Sequence, residues 1–196
     1  MQKRHRIFIA INLPSDVKKR LADFEQKWPE VPAKWTPKDN LHITVLFLGD
    51  VTDEELAKTC QIVKEVALRH NSFNVALNKA AYGPQGKISF DSAQDKPPRY
   101  IWAGGEKVEE MVALKKDLED SLFESVKFNI DKNVFIPHIT LARINEWAWR
   151  AVEPEEQPEV NENIELTFTA ESIEVMESEL TRQGPRYMVV ESHQLQ

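Results

Sequence analysis

The segment Leu41–Leu48, LHITVLFL, decides how this chain of 196 residues is interpreted, because a four-residue pattern within it is repeated later in the chain. His42-Ile43-Thr44-Val45 is matched by His138-Ile139-Thr140-Leu141, with histidine, an apolar residue, threonine and an apolar residue in the same order. The copies lie 96 residues apart, close to half the chain length. Two such elements are improbable by chance in a chain with 5 histidines, so we interpret them as paired parts of one site.

Both copies lie in short, β-branched, apolar runs that are typical of strands. Side chains alternate between the two faces of a strand, so His42 and Thr44 share one face, and His138 and Thr140 do likewise. The opposite face of the first run, which includes Phe47 by this alternation, is expected to enter the core. If the two halves of the chain are related by a pseudo-two-fold axis, the two His/Thr faces meet across one cleft.

Two imidazoles and two hydroxyls around one point suit phosphodiester chemistry. The ordinary histidine pKa of about 6.5 allows one ring to accept a proton from water while the other donates a proton to the leaving oxygen. The hydroxyls can donate hydrogen bonds to the non-bridging oxygens. Arg143 could add a charge-assisted contact, but strict alternation places it opposite His138. The strand must therefore end or twist near Ala142 for the arginine to reach the site.

Other interpretations of these residues are possible. A histidine in a buried strand is most often a hydrogen-bonded core residue, and threonine is a common strand former, so the functional interpretation depends on the pairing. A zinc site lacks a third ligand at suitable spacing. His5, His70 and His193 are expected to be solvated, and the single Cys60 excludes an intramolecular disulfide and a cysteine-based zinc site.

The composition limits the class of partner. Lys and Arg total 25 and Asp and Glu total 32, which gives a net charge of −7 and argues against a broad basic face that coats nucleic acid. An enzyme that engages one end or one nucleotide remains compatible with this charge. The apolar run Ile7–Ile11 is too short for a signal peptide, and no run approaches the roughly 18 apolar residues of a membrane span. We expect a cytoplasmic protein without membrane contact.

Strands are predicted at 6–13, 41–48, 73–81, 88–91, 100–103, 136–144, 164–177 and 187–191. Helices are predicted after Pro14, behind the capping box Thr52-Asp53-Glu54-Glu55 and over 106–126. Loops are predicted at 29–37, 92–99 and 146–163. Several strands follow one another directly, which favours antiparallel or mixed sheets with helices on one face over a doubly wound parallel sheet.

With these motifs the sequence resembles the 2H phosphoesterase superfamily, and within it the RNA 2′,3′-cyclic phosphodiesterases, which are also described as 2′-5′ RNA ligases. The resemblance covers nearly the whole chain. It is carried by the two motif regions, 40–49 and 137–143, and by the flanking segments 8–14, 101–104, 178–180 and 184–187.

The resemblance implies an α+β, bilobal fold with a pseudo-two-fold axis, in which two antiparallel sheets with helices on the outside surround a central cleft. It implies one domain over 1–196, a monomer, and no metal or other cofactor. The implied activity is metal-independent hydrolysis of RNA 2′,3′-cyclic phosphate ends, or of cyclic nucleotides, to 2′-phosphomonoesters. By the family pattern His42 donates a proton to the 3′ oxygen and His138 activates water, while Thr44, Thr140 and Arg143 bind the phosphate.

The sequence departs from the family pattern at two places, and two alternative functions are compatible with it. Position 46 is leucine where relatives often carry a polar or basic residue, and the loop Ser92–Arg99 is longer than usual. The same catalytic residues would serve 2′-5′ ligation of RNA halves. A non-catalytic nucleotide or RNA-end binding module on the same fold is the third possibility, although a pure binder has no need of an acid–base pair.

Overall fold

A computed structural model describes residues 4–83, 97–129, 135–182 and 184–196. The strands are β1 (Arg4–Asn12), β2 (Ala33–Trp35), β3 (His42–Thr52), β4 (Phe73–Gly83), β5 (Tyr100–Gly104), β6 (His138–Ile144), β7 (Asn161–Ala170), β8 (Ser172–Thr181) and β9 (Gly184–Gln194). The helices are α1 (Ser15–Ala22), α2 (Asp53–Ala67), α3 (Glu109–Leu122) and α4 (Glu146–Arg150).

The strands form one antiparallel sheet in the order β7-β4-β5-β6-β3-β1-β8-β9, and β2 pairs with β6 beside this path. Two halves of four strands meet at β6 and β3, where Ile43 pairs with Ile139. The innermost strand of each half begins at its motif histidine, His42 or His138. The predicted α+β fold of antiparallel strands is confirmed. The two predicted sheets are the two halves of one sheet, because the hydrogen-bond ladder continues between them through this single pair.

The main apolar core lies between the sheet and the longer helices. The capping box is confirmed: the Glu55 amide donates to the Thr52 hydroxyl at 3.2 Å, and the Thr52 amide donates to the Glu55 carboxylate at 2.8 Å. Helix α2 packs against β1, β3, β8 and β9, and α3 packs against α2 and β3. The inward residues of α3 are fully buried, namely Met111, Leu114, Leu118 and Leu122. In the described parts of the chain, no helix is long and apolar enough to cross a membrane.

A second, separate apolar cluster is formed by Phe8, Ala10 and Met176, with Tyr187 packed against it. Phe8 and Tyr187 also contact the ring of His42, with ring centroids 5.0 and 5.1 Å away. This cluster therefore borders the motif face of the sheet, while the larger core supports the sheet from the other side.

Three predicted boundaries were wrong. The loop predicted at 29–37 contains β2, because the residues between Pro32 and Pro37 have the amide N–H groups that proline lacks and pair with β6. The loop predicted at 146–163 contains α4, whose amides of Trp147 and Ala148 donate to the Asn145 side chain at 3.1 and 3.3 Å. The strand predicted at 164–177 is two strands, β7 on β4 and β8 on β1.

The break between β7 and β8 falls at Glu171, where the chain passes from one half of the sheet to the other. Buried residues of β7 alternate with exposed ones and end at Ala170, whereas four successive residues of β8, 173–176, are all buried. The burial pattern therefore changes where one strand ends and the next begins. The predicted strand 88–91 and most of the predicted loop 92–99 lie outside the described residues.

Candidate active site

The four motif side chains lie on one face of two neighbouring strands. The pair Ile43–Ile139 stands at the centre of the junction, and both isoleucines are completely buried. The motif residues on either side of them, His42 and Thr44 on β3 and the corresponding pair on β6, are half-buried and point to the opposite face. The predicted alternation therefore places two imidazoles and two hydroxyls together at the junction of the halves.

Hydrogen bonds to the backbone fix the tautomer of each histidine. Nδ1 of His42 lies 2.7 Å from the carbonyl oxygen of Asn40, and Nδ1 of His138 lies 2.8 Å from that of Ile136. A carbonyl oxygen only accepts, so Nδ1 carries the proton and donates in both rings. In each neutral ring Nε2 is therefore the basic nitrogen, and the two motifs share this geometry residue for residue.

The surroundings of the two Nε2 atoms differ. Nε2 of His42 lies 2.9 Å from the hydroxyl of Thr44, which can donate to it when the ring is neutral. Within the described ranges, no hydrogen bond reaches Nε2 of His138 or the hydroxyl of Thr140. The His138 nitrogen and the Thr140 hydroxyl are thus available to a bound molecule without loss of an existing contact.

A bulge in β6 brings Arg143 onto the same face as His138. Trp102 of β5 pairs with Thr140 and Ile101 pairs with Ala142, so Leu141 is an extra residue in the ladder. Leu141 and Ala142 are consequently both buried, and Arg143 is exposed on the side of the motif residues. The strand does not end near Ala142. Instead, the bulge shifts the alternation by one residue, so Arg143 lies on the same face as His138.

The same bulge occurs at the equivalent place in β3 and overturns one prediction. Ala10 of β1 pairs with Thr44 and Ile9 pairs with Leu46, which leaves Val45 as the extra residue. Phe47 was expected in the core, but it lies on the motif face and is 66% exposed. Leu46 is buried instead, so the leucine at this departure from the family pattern is a core residue.

Both motif histidines are harder to protonate than a free imidazole. Burial lowers the pKa of His42, the charges of Lys18 and of His138 in its protonated form lower it further, and only the hydrogen bond to the Asn40 carbonyl raises it. Burial also lowers the pKa of His138, against the Ile136 carbonyl. Both rings are therefore neutral at pH 7 in the free protein. An anionic ligand would favour the charged form of the ring it contacts.

Two residues near the site had no place in the sequence-based site. Lys18 of α1 donates to the carbonyl oxygen of Asp39 at 3.1 Å, close enough for its charge to act on His42. Trp102 of β5 stacks on His138, with ring centroids 3.8 Å apart and an interplanar angle of 24°. No local pattern distinguishes this tryptophan, because its importance depends on a neighbouring strand.

The other histidines are not solvated as predicted. His5 is 6% exposed, and its two ring nitrogens lie 2.7 Å from Glu177 and 2.8 Å from Asp53. His70 bonds to Asp117 at 3.0 Å, and the His193 side chain is 11% exposed. Among the described residues, no group of three histidine, cysteine or acidic side chains is arranged to hold a metal ion.

An antiparallel α+β fold that presents two His-x-Thr pairs on one face is the fold of a 2H phosphoesterase. The chain matches the model of the LigT like Phosphoesterase family over residues 11–88 and 106–187, and it belongs to that family.

Similar proteins agree with this assignment. An RNA 2′,3′-cyclic phosphodiesterase of Geobacillus stearothermophilus is 30% identical over 173 residues, which cover 87% of this chain and 50% of that protein. The chain thus spans about half the length of this relative. One of Thermotoga maritima is 25% identical over 190 residues, covering 94% and 92%. A crystal structure of a Thermus thermophilus protein superposes with a TM-score of 0.79 at 28% identity and covers 97% of both chains.

Proposed function

We propose that this protein hydrolyses 2′,3′-cyclic phosphodiesters at RNA ends to 2′-phosphomonoesters, without a metal, by acid–base catalysis between two histidines. The observation that carries the proposal is the pair of His-x-Thr motifs on adjacent strands, each with Nδ1 fixed on a backbone carbonyl and Nε2 left as the basic nitrogen. The names of the relatives support cyclic RNA ends as the substrate class.

In the proposed reaction a water molecule attacks phosphorus while Nε2 of His138 accepts one of its protons. The bond between phosphorus and the 3′ oxygen breaks, and Nε2 of His42 gives its proton to that oxygen. The 2′ bond to phosphorus remains, so the products are a 2′-phosphate and a 3′ hydroxyl. His138 suits the base role because its Nε2 has no hydrogen bond among the described residues and its burial keeps it neutral.

The acid role requires a proton on His42, whose pKa is lowered in the free protein. A bound phosphodiester carries a negative charge, and an opposite charge close to the ring favours the imidazolium. In the free protein the Thr44 hydroxyl donates a hydrogen bond to the neutral Nε2 of this ring. A bound phosphate gives the hydroxyl and the protonated nitrogen a common anionic acceptor, so substrate binding itself prepares the acid.

The remaining polar groups of the face would stabilise charge on the non-bridging oxygens. The hydroxyls of Thr44 and Thr140 donate hydrogen bonds, and the guanidinium of Arg143 donates charge-assisted ones. Exposed Phe47 adds an apolar surface beside Phe8, which in turn contacts the ring of His42. Donors on both strands thus surround one phosphate from two sides.

The direct test is incubation with an RNA oligomer that ends in a 2′,3′-cyclic phosphate. The products are separated and compared with authentic 2′- and 3′-phosphate standards. We expect the 2′-phosphate. A 3′-phosphate would reverse the assignment of the leaving oxygen, a joined oligomer would favour ligation, and an unchanged cyclic end bound to the protein would favour a binding module.

A further inference from the structure

The indole of Trp102 stacks directly on the imidazole of His138. The two rings are nearly parallel, and their centroids are 3.8 Å apart. Trp102 pairs with Thr140 across the β5–β6 ladder, so it stands directly beside the second motif. Its indole N–H is buried and finds no acceptor in the described ranges. Ring packing, rather than a hydrogen bond, therefore holds this side chain in place.

A glycine on the next strand makes room for the indole. A Cβ atom added to Gly83 of β4 would lie 2.3 Å from Cδ2 of Trp102 and 2.7 Å from Cγ, far inside van der Waals contact. Tyr100, which pairs with Gly83, also stacks on Trp102, with ring centroids 6.1 Å apart and an interplanar angle of 15°. The indole is thus confined by Gly83, by Tyr100 and by the imidazole of His138.

The two motif histidines differ in how their ring planes are fixed. His42 has hydrogen bonds at both nitrogens and aromatic contacts from Phe8 and Tyr187. His138 has a hydrogen bond only at Nδ1 among the described residues, and one hydrogen bond leaves a ring free to tilt about it. The stacked indole removes this freedom, because a tilted imidazole would collide with it.

We propose that Trp102, seated on Gly83, is a positioning residue that fixes the ring plane of His138 and shields one side of it from water. This inference rests on the proposed function, in which His138 is the base. A base must hold its nitrogen within hydrogen-bond reach of the attacking water, and a displacement of about 1 Å can cost about a hundredfold in rate. The indole also contributes to the burial that keeps the imidazole neutral.

The test measures the ring nitrogens of both motif histidines by NMR across pH, together with turnover, in W102L, W102F and G83A. In W102L the pKa of His138 should rise toward the ordinary 6.5, because water reaches the ring, while that of His42 stays. We expect kcat to fall about 10- to 100-fold with KM nearly unchanged. W102F should retain an intermediate rate. G83A keeps the indole but displaces it, and should shift the His138 titration in the same direction.

A matched control separates positioning from general stability. Trp149 is also buried, but it packs on Tyr82 at 5.4 Å, so W149L should lower the melting temperature without moving the His138 titration. An unmoved His138 titration in both W102L and G83A would overturn the inference. If the titration moves while W102L and H138A both keep full turnover, the positioning stands and the proposed function fails.

Discussion

Replacement of Arg143 by glutamine removes the guanidinium charge and keeps a polar side chain at that position. The bulge at Leu141 brings this residue to the motif face, where it is exposed beside His138 and Thr140. We expect the R143Q variant to stabilise the reacting phosphate less, because a neutral amide cannot replace charge-assisted hydrogen bonds to its oxygens. The loss should affect kcat/KM, which compares the transition state with the free enzyme and substrate.

The size of the loss follows from the exposure of the side chain. A hydrogen bond to a charged group contributes about 1.5–3 kcal/mol, which corresponds to about 10- to 150-fold in kcat/KM. Arg143 is exposed, and water weakens interactions between exposed charges, so the lower part of this range, about 10- to 40-fold, is expected. Lysine keeps the charge but lacks the bidentate geometry of the guanidinium, so the kcat/KM of R143K should lie between those of R143Q and the natural sequence.

The assay is the initial rate of opening of 2′,3′-cyclic AMP at constant ionic strength. Arg150 gives a matched control, since it is an exposed arginine at the end of α4 and outside the sheet. R150Q should therefore retain the kcat/KM of the natural sequence. A fall of less than about twofold in R143Q, or an equal fall in R150Q, would refute the placement of Arg143 at the phosphate.

Three further results are expected. The pH profile of kcat/KM should be bell-shaped with its maximum below pH 6.5, because the pKa values of both histidines are lowered and His42 loses its catalytic proton below that pH. A plateau up to about pH 8 would contradict this. T52A should lose about 1 kcal/mol of unfolding free energy and about 2–4 °C in Tm by circular dichroism, with kcat/KM unchanged. Treatment with EDTA should leave turnover intact, and a loss restored by zinc would favour a metal site instead.

The alternation of apolar and polar residues was sufficient to predict the two motif strands and their shared face. Each histidine is followed by a buried isoleucine and a half-buried threonine, so a period of two predicts the orientation correctly over these residues. Beyond Thr44 and Thr140 the rule fails, because the bulges depend on pairing with β1 and β5. That is why Phe47 was assigned to the wrong face.

Residues distant in sequence account for the other failures. His5 is the fifth residue, and its position alone predicts a solvated side chain. Its ring nitrogens contact Glu177 on β8 and Asp53 on α2, so the side chain is buried instead. The contact between Trp102 and His138 likewise depends on Gly83 of a third strand. Local patterns carry no information on such contacts, so only the assembled sheet reveals them.

The most direct test of the two-histidine mechanism is turnover of a 2′,3′-cyclic phosphate by H42A and H138A, each checked for its fold by far-UV circular dichroism. General acid–base catalysis typically contributes about 10²- to 10⁴-fold, so each variant should lose at least about a hundredfold in kcat with an unchanged spectrum. Turnover at the rate of the natural sequence by either folded variant would contradict the mechanism.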